Sequence, residues 1–344
     1  MKFGPVPLSA ALGAVLAHSV RLPDGTLRKG VVLGAAEIAR LRAVQVESVV
    51  VAQLGPGDVN EDVAAQRVAA ALMGDGLEAG TAATGRVNFY ARADGLLLVD
   101  ARRIHAANAV HEGLTVATLL PDTVVRAGQM VATIKIIPYA VPAAALDAVV
   151  AAARGLPAAM RVSRWQGITV GLVLTRTAGM RASVLAKMRQ SVVKRLEPLG
   201  AKLTNELVVA HEERSVAAAL QDQLNGPDAP RLLLVSAAAA TVDRADVVPA
   251  AIVRAGGRVL HAGMPVDPGN LLVLGQVSHG EGNLPIVGIP TCARSPKLNG
   301  FDFVLRRLAS GVDVTGADIM AMGVGGLLVE IESRPMPRDP RAHD

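Results

Sequence analysis

The chain has 344 residues, enough for two domains with sizeable cores, and its 51% apolar and 19% charged residues exclude wholesale disorder. Its formal charge of +5, from 35 Lys and Arg against 30 Asp and Glu, is dispersed singly or in pairs, and 2% aromatic residues leave few rings for base stacking. No nucleic-acid partner is expected, small phosphorylated ligands suit this charge at least as well, and the single cysteine, Cys292, excludes an internal disulfide or a multi-cysteine zinc site and favours the cytoplasm.

In chain order, the apolar segment 8–20 is short and carries His18, so it reads as a core element and not as a leader. No uninterrupted apolar stretch of about 18 residues predicts a membrane span. Turn signals at Leu22-Pro-Asp-Gly-Thr26, Leu54-Gly-Pro-Gly-Asp58, Arg92-Ala-Asp-Gly95 and Arg126-Ala-Gly128 separate short β-branched runs. Strands are predicted over 46–52, 95–99, 114–119 and 131–138, and helices over 35–43 and 62–72. Residues 1–140 are therefore expected to form a β-rich region of one or two small modules. The alanine-rich segment between Pro142 and Pro157 predicts a helix, and 141–164 is read as the link between domains.

From Gly167 the pattern alternates. Strands are predicted over 168–174, 202–209, 232–235, 258–260, 271–274 and 286–289, with helices over 182–199, 211–224, 247–255 and 303–309. Such alternation predicts a three-layer α/β domain over 165–331, its sheet mostly parallel and covered on both faces, with ligands at the carboxyl ends of its strands. Gly323-Val-Gly-Gly326 reads as a tight turn before a final strand over 327–331, and the Pro- and Arg-rich tail 332–344 as a flexible end.

There is no phosphate loop of the Gly-x-x-x-x-Gly-Lys-Ser/Thr kind, no His-Glu-x-x-His and no Gly-x-Ser-x-Gly. Three polar loops after strands carry what chemistry there is. The first runs from Ser236 through Ala237, Ala238, Ala239, Ala240 and Thr241 to Asp243 and Asp246, just before a helix. Small residues let backbone N–H groups approach an anion, and two carboxylates beside it suit a divalent cation. The alternative makes Asp246 a helix N-cap and Asp243 a solvated turn residue. The second loop holds Asp267, Pro268, Gly269 and Asn270. The third holds Pro290, Cys292, Arg294, Ser295, Lys297 and Asn299, which gather cationic and hydrogen-bonding groups suited to an anionic ligand. A solvated loop would have a similar composition. Cys292 reads as a small buried hydrophobe or as a metal ligand or nucleophile, with no adjacent His base in sequence, and the histidines, His211 among them, show no metal spacing and read as structural or surface residues.

The order of these loops resembles the molybdopterin-binding domain of the molybdenum-cofactor biosynthesis family, which includes the molybdopterin adenylyltransferases and molybdotransferases. The family's Gly-Gly-Thr-Gly or Gly-Gly-Val-Ser loop is matched by Ala237-Ala-Ala-Ala-Thr241, and its Arg-Asp-Val-Thr-Pro pattern by Asp246-Val-Val-Pro249. Its Lys-Pro-Gly-Lys-Pro turn resembles Asp267-Pro-Gly-Asn270, and its Gly-Leu-Pro-Gly-Asn-Pro loop resembles Gly288-Ile-Pro-Thr-Cys-Ala293. The likeness covers residues of about 165 to 330 well and the front half more loosely, through Val6-Pro-Leu-Ser9, Gly13-Ala-Val-Leu-Ala-His-Ser-Val20 and Arg28-Lys-Gly-Val-Val-Leu33. It is nearest to bacterial proteins in which this module precedes a molybdopterin nucleotidyltransferase.

The resemblance implies a molybdopterin ligand held by the three loops, with Thr175 at the end of the first strand added to them. It also implies Mg²⁺ positioned by Asp246 and Asp243, with molybdate and a nucleotide as further reactants. The reaction would be a molybdotransferase-type metal insertion or a nucleotide transfer. Replacement of the loop glycines by alanines and of the turn lysines by Asp267 and Asn270 leaves open a non-catalytic carrier that delivers cofactor to a nucleotidyltransferase or molybdoenzyme client. Arg294 and Lys297 are expected to supply the missing charge. An unrelated α/β protein binding another phosphorylated metabolite is a third reading. Thr84-Gly-Arg-Val-Asn88 and Lys135 are polar points in an apolar stretch; Arg86 and Asn88 read either as reaching a ligand from a neighbouring subunit of the expected homo-oligomer or as an ordinary turn and an exposed strand face.

Overall fold

The computed structural model describes residues 1–226, 228–280 and 282–328, in two compact units, Met1–Arg164 and a second that begins at Trp165. The tail 332–344 and most of the expected strand over 327–331 lie outside the described residues. No helix among the described residues is long and apolar enough to cross a membrane.

The first unit has two apolar cores. One gathers Leu16, Leu33, Leu41 and Val51 between a three-stranded antiparallel sheet, of strands Lys2–Pro7, Ser48–Gln53 and Val15–Leu16, and the helix Ala35–Ala43. The other is larger. Its four-stranded sheet places Leu114–Thr118, Met130–Ile136, Arg86–Ala91 and Leu77–Ala79 side by side, and a three-stranded sheet holds Thr123–Val125, Gly95–Val99 and Met160–Arg164. The two-residue period of Arg86–Ala91 sends Val87, Phe89 and Ala91 inward and leaves Arg86, Asn88 and Tyr90 on the other face. The alanine-rich segment forms the helix Ala143–Ala153, which buries Leu146, Val149 and Val150.

The second unit alternates strand and helix: β1 (Thr169–Arg176), α1 (Ala182–Leu196), β2 (Lys202–Ala210), α2 (Glu213–Asn225), β3 (Leu232–Ser236), α3 (Val247–Arg254), β4 (Arg258–Ala262), β5 (Val273–His279), β6 (Gly282–Ile289), α4 (Gly300–Ala309) and α5 (Gly316–Ala321). The six strands lie in the order β2-β1-β3-β6-β5-β4. β2, β1, β3 and β6 are parallel, whereas β5 runs antiparallel to both β6 and β4. The sheet is therefore mixed, with β5 alone reversed and three of its five strand pairings parallel.

The reason for that departure is local. Only residues 280 and 281 separate β5 from β6, too few for a crossover, so the pair can only be a hairpin. β5 also starts later than the expected 271–274, because the Leu272 N–H donates to the Gly269 carbonyl and keeps the preceding turn closed.

Both faces of the sheet are covered. Leu232 and Leu234 of β3 join a core with Met188, Val192 and Leu196 of α1 and Phe301, Val304 and Leu305 of α4. Leu233 and Val235 alternate to the other face and pack with Val216 and Leu220 of α2 and Val248 and Ile252 of α3. A strand buried on both sides reads as an unbroken apolar run, which is what Leu232 to Val235 is. Each large side chain so buried contributes about 1.5–3 kcal/mol.

Candidate functional site

The chain passes from β1 outward to β2 and returns to β3 on the opposite side, so a crevice opens at the carboxyl ends of β1 and β3. Thr175 is completely buried at the end of β1. Its Oγ1 accepts from the Ala238 N–H at 2.7 Å and lies 2.9 Å from His211 Nδ1. The loop after β3 is held from its other side by Arg294, whose Nη2 donates to the carbonyls of Ala237 and Ala238, at 2.9 Å each. Arg294 Nε is buried without a partner. The same residue lines a cavity of about 10 Å³ with Ser191, Ser236 and Pro290. That volume is about what one water needs.

Ala239 and Ala240 are exposed and Thr241 is half-buried. Among the described residues the N–H groups of these three have no partner. None of the alanines takes a positive φ. Their replacement of glycine therefore stores no left-handed strain.

The two aspartates are occupied by the turn that follows. Asp246 is the N-cap of α3, with Oδ1 accepting from the Val247 N–H at 2.8 Å and Oδ2 from the Val242 N–H at 3.2 Å. Asp243 Oδ1 accepts from the Ala245 N–H at 2.7 Å. This is the geometry of the capping alternative. Among the described residues no group of three or more His, Cys, Asp or Glu side chains is placed to hold a metal ion.

The other two loops meet at the start of α4. Gly269 is in close contact there, and a Cβ on it would lie 2.6 Å from the Gly300 nitrogen. Pro268 offers its carbonyl to the Gly300 N–H, while the side chains of Asp267 and Asn270 are exposed. The Asp267 backbone pairs instead with residues 326–328, through the Gly326 carbonyl and the Leu328 N–H. Asn299 is buried and caps α4, its Oδ1 accepting from the Phe301 N–H and its Nδ2 donating to Cys292 Sγ at 3.2 Å. Cys292 is half-buried in the short turn Thr291–Arg294. Ser295 and Lys297 contribute their carbonyls to Arg195 Nη2, at 2.8 and 3.1 Å.

Arg195 and His211 are organising residues that the loop pattern does not announce. The first stands on α1, far in sequence from the loop it holds. The second directly follows β2, and a polar ring just past a strand end is the only local signal it offers.

In the first unit, Thr84 adopts a left-handed φ of 49° in the turn before Arg86. Lys135 Nζ donates to the Thr84 carbonyl at 2.7 Å and stands 3.7 Å from Glu61 Oε2, while Asp62 accepts from the Gly85 N–H. Burial pushes the Glu61 carboxyl above its ordinary range, against the pull of Lys135. Asn88 Oδ1 and Thr133 Oγ1, in register on neighbouring strands, are buried without partners. In the second unit, a cleft of about 350 Å³ opens at the other end of the sheet from the crevice, near Arg231, His279, Asn283 and Asp313.

A family model described as a domain of unknown function (DUF8806) matches residues 5–53, which form the smaller core of the first unit and none of the loops above. No curated protein matches the chain.

Proposed function

We propose that the second unit is a three-layer molybdopterin-binding domain serving molybdenum-cofactor biosynthesis, and that it takes the ligand's phosphate at the loop after β3. The observation that carries this reading is the state of that loop. Its first two carbonyls are drawn to Arg294 while the N–H groups of Ala239, Ala240 and Thr241 stay unpartnered, as an anion-binding loop requires. The loop order that resembles the family supplies the pterin.

The residues fit the anionic half of the expected chemistry better than the metal half. Both oxygens of Asp246 and one of Asp243 already accept backbone N–H groups. No step through Mg²⁺ is derived from them, and the Mg²⁺-assisted transfer that involves molybdate or a nucleotide rests on the resemblance alone. The same observation favours a second reading, a carrier that binds finished cofactor and passes it to a nucleotidyltransferase or molybdoenzyme.

Anaerobic titration of the purified chain with molybdopterin tests both. With and without molybdate, Mg²⁺ and ATP or CTP, binding with turnover supports the transferase. Binding without turnover supports the carrier, and no binding overturns the pterin reading.

A further inference from the structure

The cleft of about 350 Å³ lies at the far end of the six-stranded sheet and takes no part in the pterin reading. Its volume is that of a small-molecule site, and so is its lining, mostly apolar with a few polar groups. Ile168, Pro230 and Leu284 are buried there, and Pro285, Leu308 and Val312 are half-buried around them. Backbone hydrogen bonds fix the walls. The Arg231 N–H donates to the Thr169 carbonyl, which ties the entry of β3 to β1. The Gly311 and Val312 N–H groups close on the Leu308 and Arg307 carbonyls in the turn that ends α4.

The polar residues come from two sides. Arg231 just before β3, Asn283 on β6 and His279 at the end of β5 belong to three adjacent strands, whereas Asp313 stands on the segment that leaves α4. The side chains of Arg231, His279 and Asp313 have no hydrogen bond or ion pair among the described residues. Arg231 and Asp313 thus bring opposite charges to one cleft without meeting each other.

A ligand that carries both charges joins them. The planar fork of Arg231 matches a carboxylate, and an ammonium brings N–H donors to the Asp313 carboxylate. The carboxyl end of α4 lies on the Asp313 side, where its dipole favours a cation. Charges held from two walls of a cleft this size call for a spacer longer than a single amino acid supplies. The apolar lining suits uncharged side chains on that spacer.

We propose that this cleft binds a short zwitterionic peptide of about dipeptide size with apolar side chains. Its carboxylate lies on Arg231, with His279 and Asn283 beside it, and its ammonium on Asp313. The site stands independently of the pterin reading at the other end of the sheet.

The test titrates the full chain with leucyl-leucine, following backbone amide resonances. Acetyl-leucyl-leucine, which lacks the ammonium, and leucyl-leucinamide, which lacks the carboxylate, are titrated in parallel. Leucyl-leucine is expected to shift the Asn283 and Val312 amides saturably. Each blocked probe should bind about tenfold or more weakly, the loss of one charged hydrogen-bonded contact. Arg231→Gln should weaken leucyl-leucine and acetyl-leucyl-leucine by a similar factor and leave leucyl-leucinamide within about twofold of native, since that probe has no carboxylate to lose. Asp313→Asn should weaken leucyl-leucine and leucyl-leucinamide and leave acetyl-leucyl-leucine within about twofold. Both residues are exposed, and the probe that each variant still binds normally reports that the fold is intact.

No saturable shift at the cleft overturns the proposal. Equal binding of the three probes also does, because it reduces the cleft to an apolar surface, and so does a variant that weakens all three alike. None of these results bears on the molybdopterin titration.

Discussion

Arg195 offers the most direct test of how the third loop is held. Its Nε pairs with Asp302 Oδ1 at 2.8 Å, Nη1 donates to the Ser191 carbonyl and hydroxyl, and Nη2 reaches the carbonyls of Ser295 and Lys297. The Arg195 and Asp302 side chains are only 8% and 11% exposed, so solvent screens the pair weakly. Replacing Arg195 with Met keeps the aliphatic length and removes the guanidinium donors from Asp302 Oδ1 and from the Ser295 and Lys297 carbonyls. Removing one partner of a buried pair costs about 3–5 kcal/mol. Asp302 keeps the Asn299 N–H at 2.8 Å, which places Arg195→Met near the lower end of that range. At about 2–4 °C per kcal/mol, a loss near 3 kcal/mol lowers Tm by about 6–12 °C. Urea unfolding followed by the fluorescence of Trp165, the one tryptophan of the chain, reports it, since that ring packs against the α1–α4 core. Asp302→Asn in the Arg195→Met background should recover part of the loss by removing the stranded charge. A change under about 1 kcal/mol, or no recovery, would refute the claim that this ion pair is effectively buried.

Asp246→Ala should cost about 0.5–2 kcal/mol as a lost N-cap, and Asp246→Asn much less; equal stability of the two in denaturant melts contradicts the capping role. Glu61 titrates above its ordinary value of 4.5 in the folded chain, so the native state holds this proton more tightly than the unfolded one. Its contribution to stability is present below the unfolded value and is lost as pH rises through the raised one. The native stability curve minus that of Glu61→Gln should therefore fall as pH rises above the ordinary value of 4.5, and a rising difference is inconsistent with burial as the dominant cause. At Gly171 an added Cβ would lie 1.7 Å from Gln223 Oε1 and 2.8 Å from Leu233 Cδ2. Gly171→Ala should cost about 1–3 kcal/mol in a chemical melt, with partial relief by Gln223→Ala, and full native stability of the single variant would show that this core gives way freely.

What could be read from the sequence follows the range of the interactions that decide it. The helix Ala35–Ala43 has the bounds its local pattern predicts, because Glu37 closes back on the Gly34 N–H within one turn. The helix over 211–224 starts two residues late, since the His211 N–H is tied to the Arg176 carbonyl. β3 and its polar loop were likewise legible, as an apolar run that ends in small residues. The clamps on that loop were not. Arg294 reaches back 57 residues to Ala237, Thr175 reaches forward 63 to Ala238, and Arg195 is 107 residues from Asp302. A local window cannot distinguish an arginine that waits for an anion from one that holds a carbonyl, and the composition of the 290–299 loop suited both.

That distinction bears on what the site can do. Asp267 and Asn270 stand where the family that these loops resemble carries turn lysines, and Arg294 donates to the Ala237 and Ala238 carbonyls. The alanines themselves cost little, since the loop keeps negative φ and offers its donors through ordinary backbone. On the proposed reading, a phosphate would meet the unpartnered N–H groups of Ala239, Ala240 and Thr241. Such a set can hold an anion, but it provides little fixed positive charge to stabilise the extra negative charge that develops during phosphoryl or nucleotidyl transfer. With Asp243 and Asp246 engaged by backbone amides, the electrostatics favour recognition over turnover. If the proposed pterin reading holds, a ligand that brings its own metal supplies that charge, and affinity for molybdopterin should rise with Mg²⁺. If Asp243→Asn and Asp246→Asn together leave that dependence intact, the metal travels with the ligand; if they abolish it, the capping geometry opens when ligand arrives.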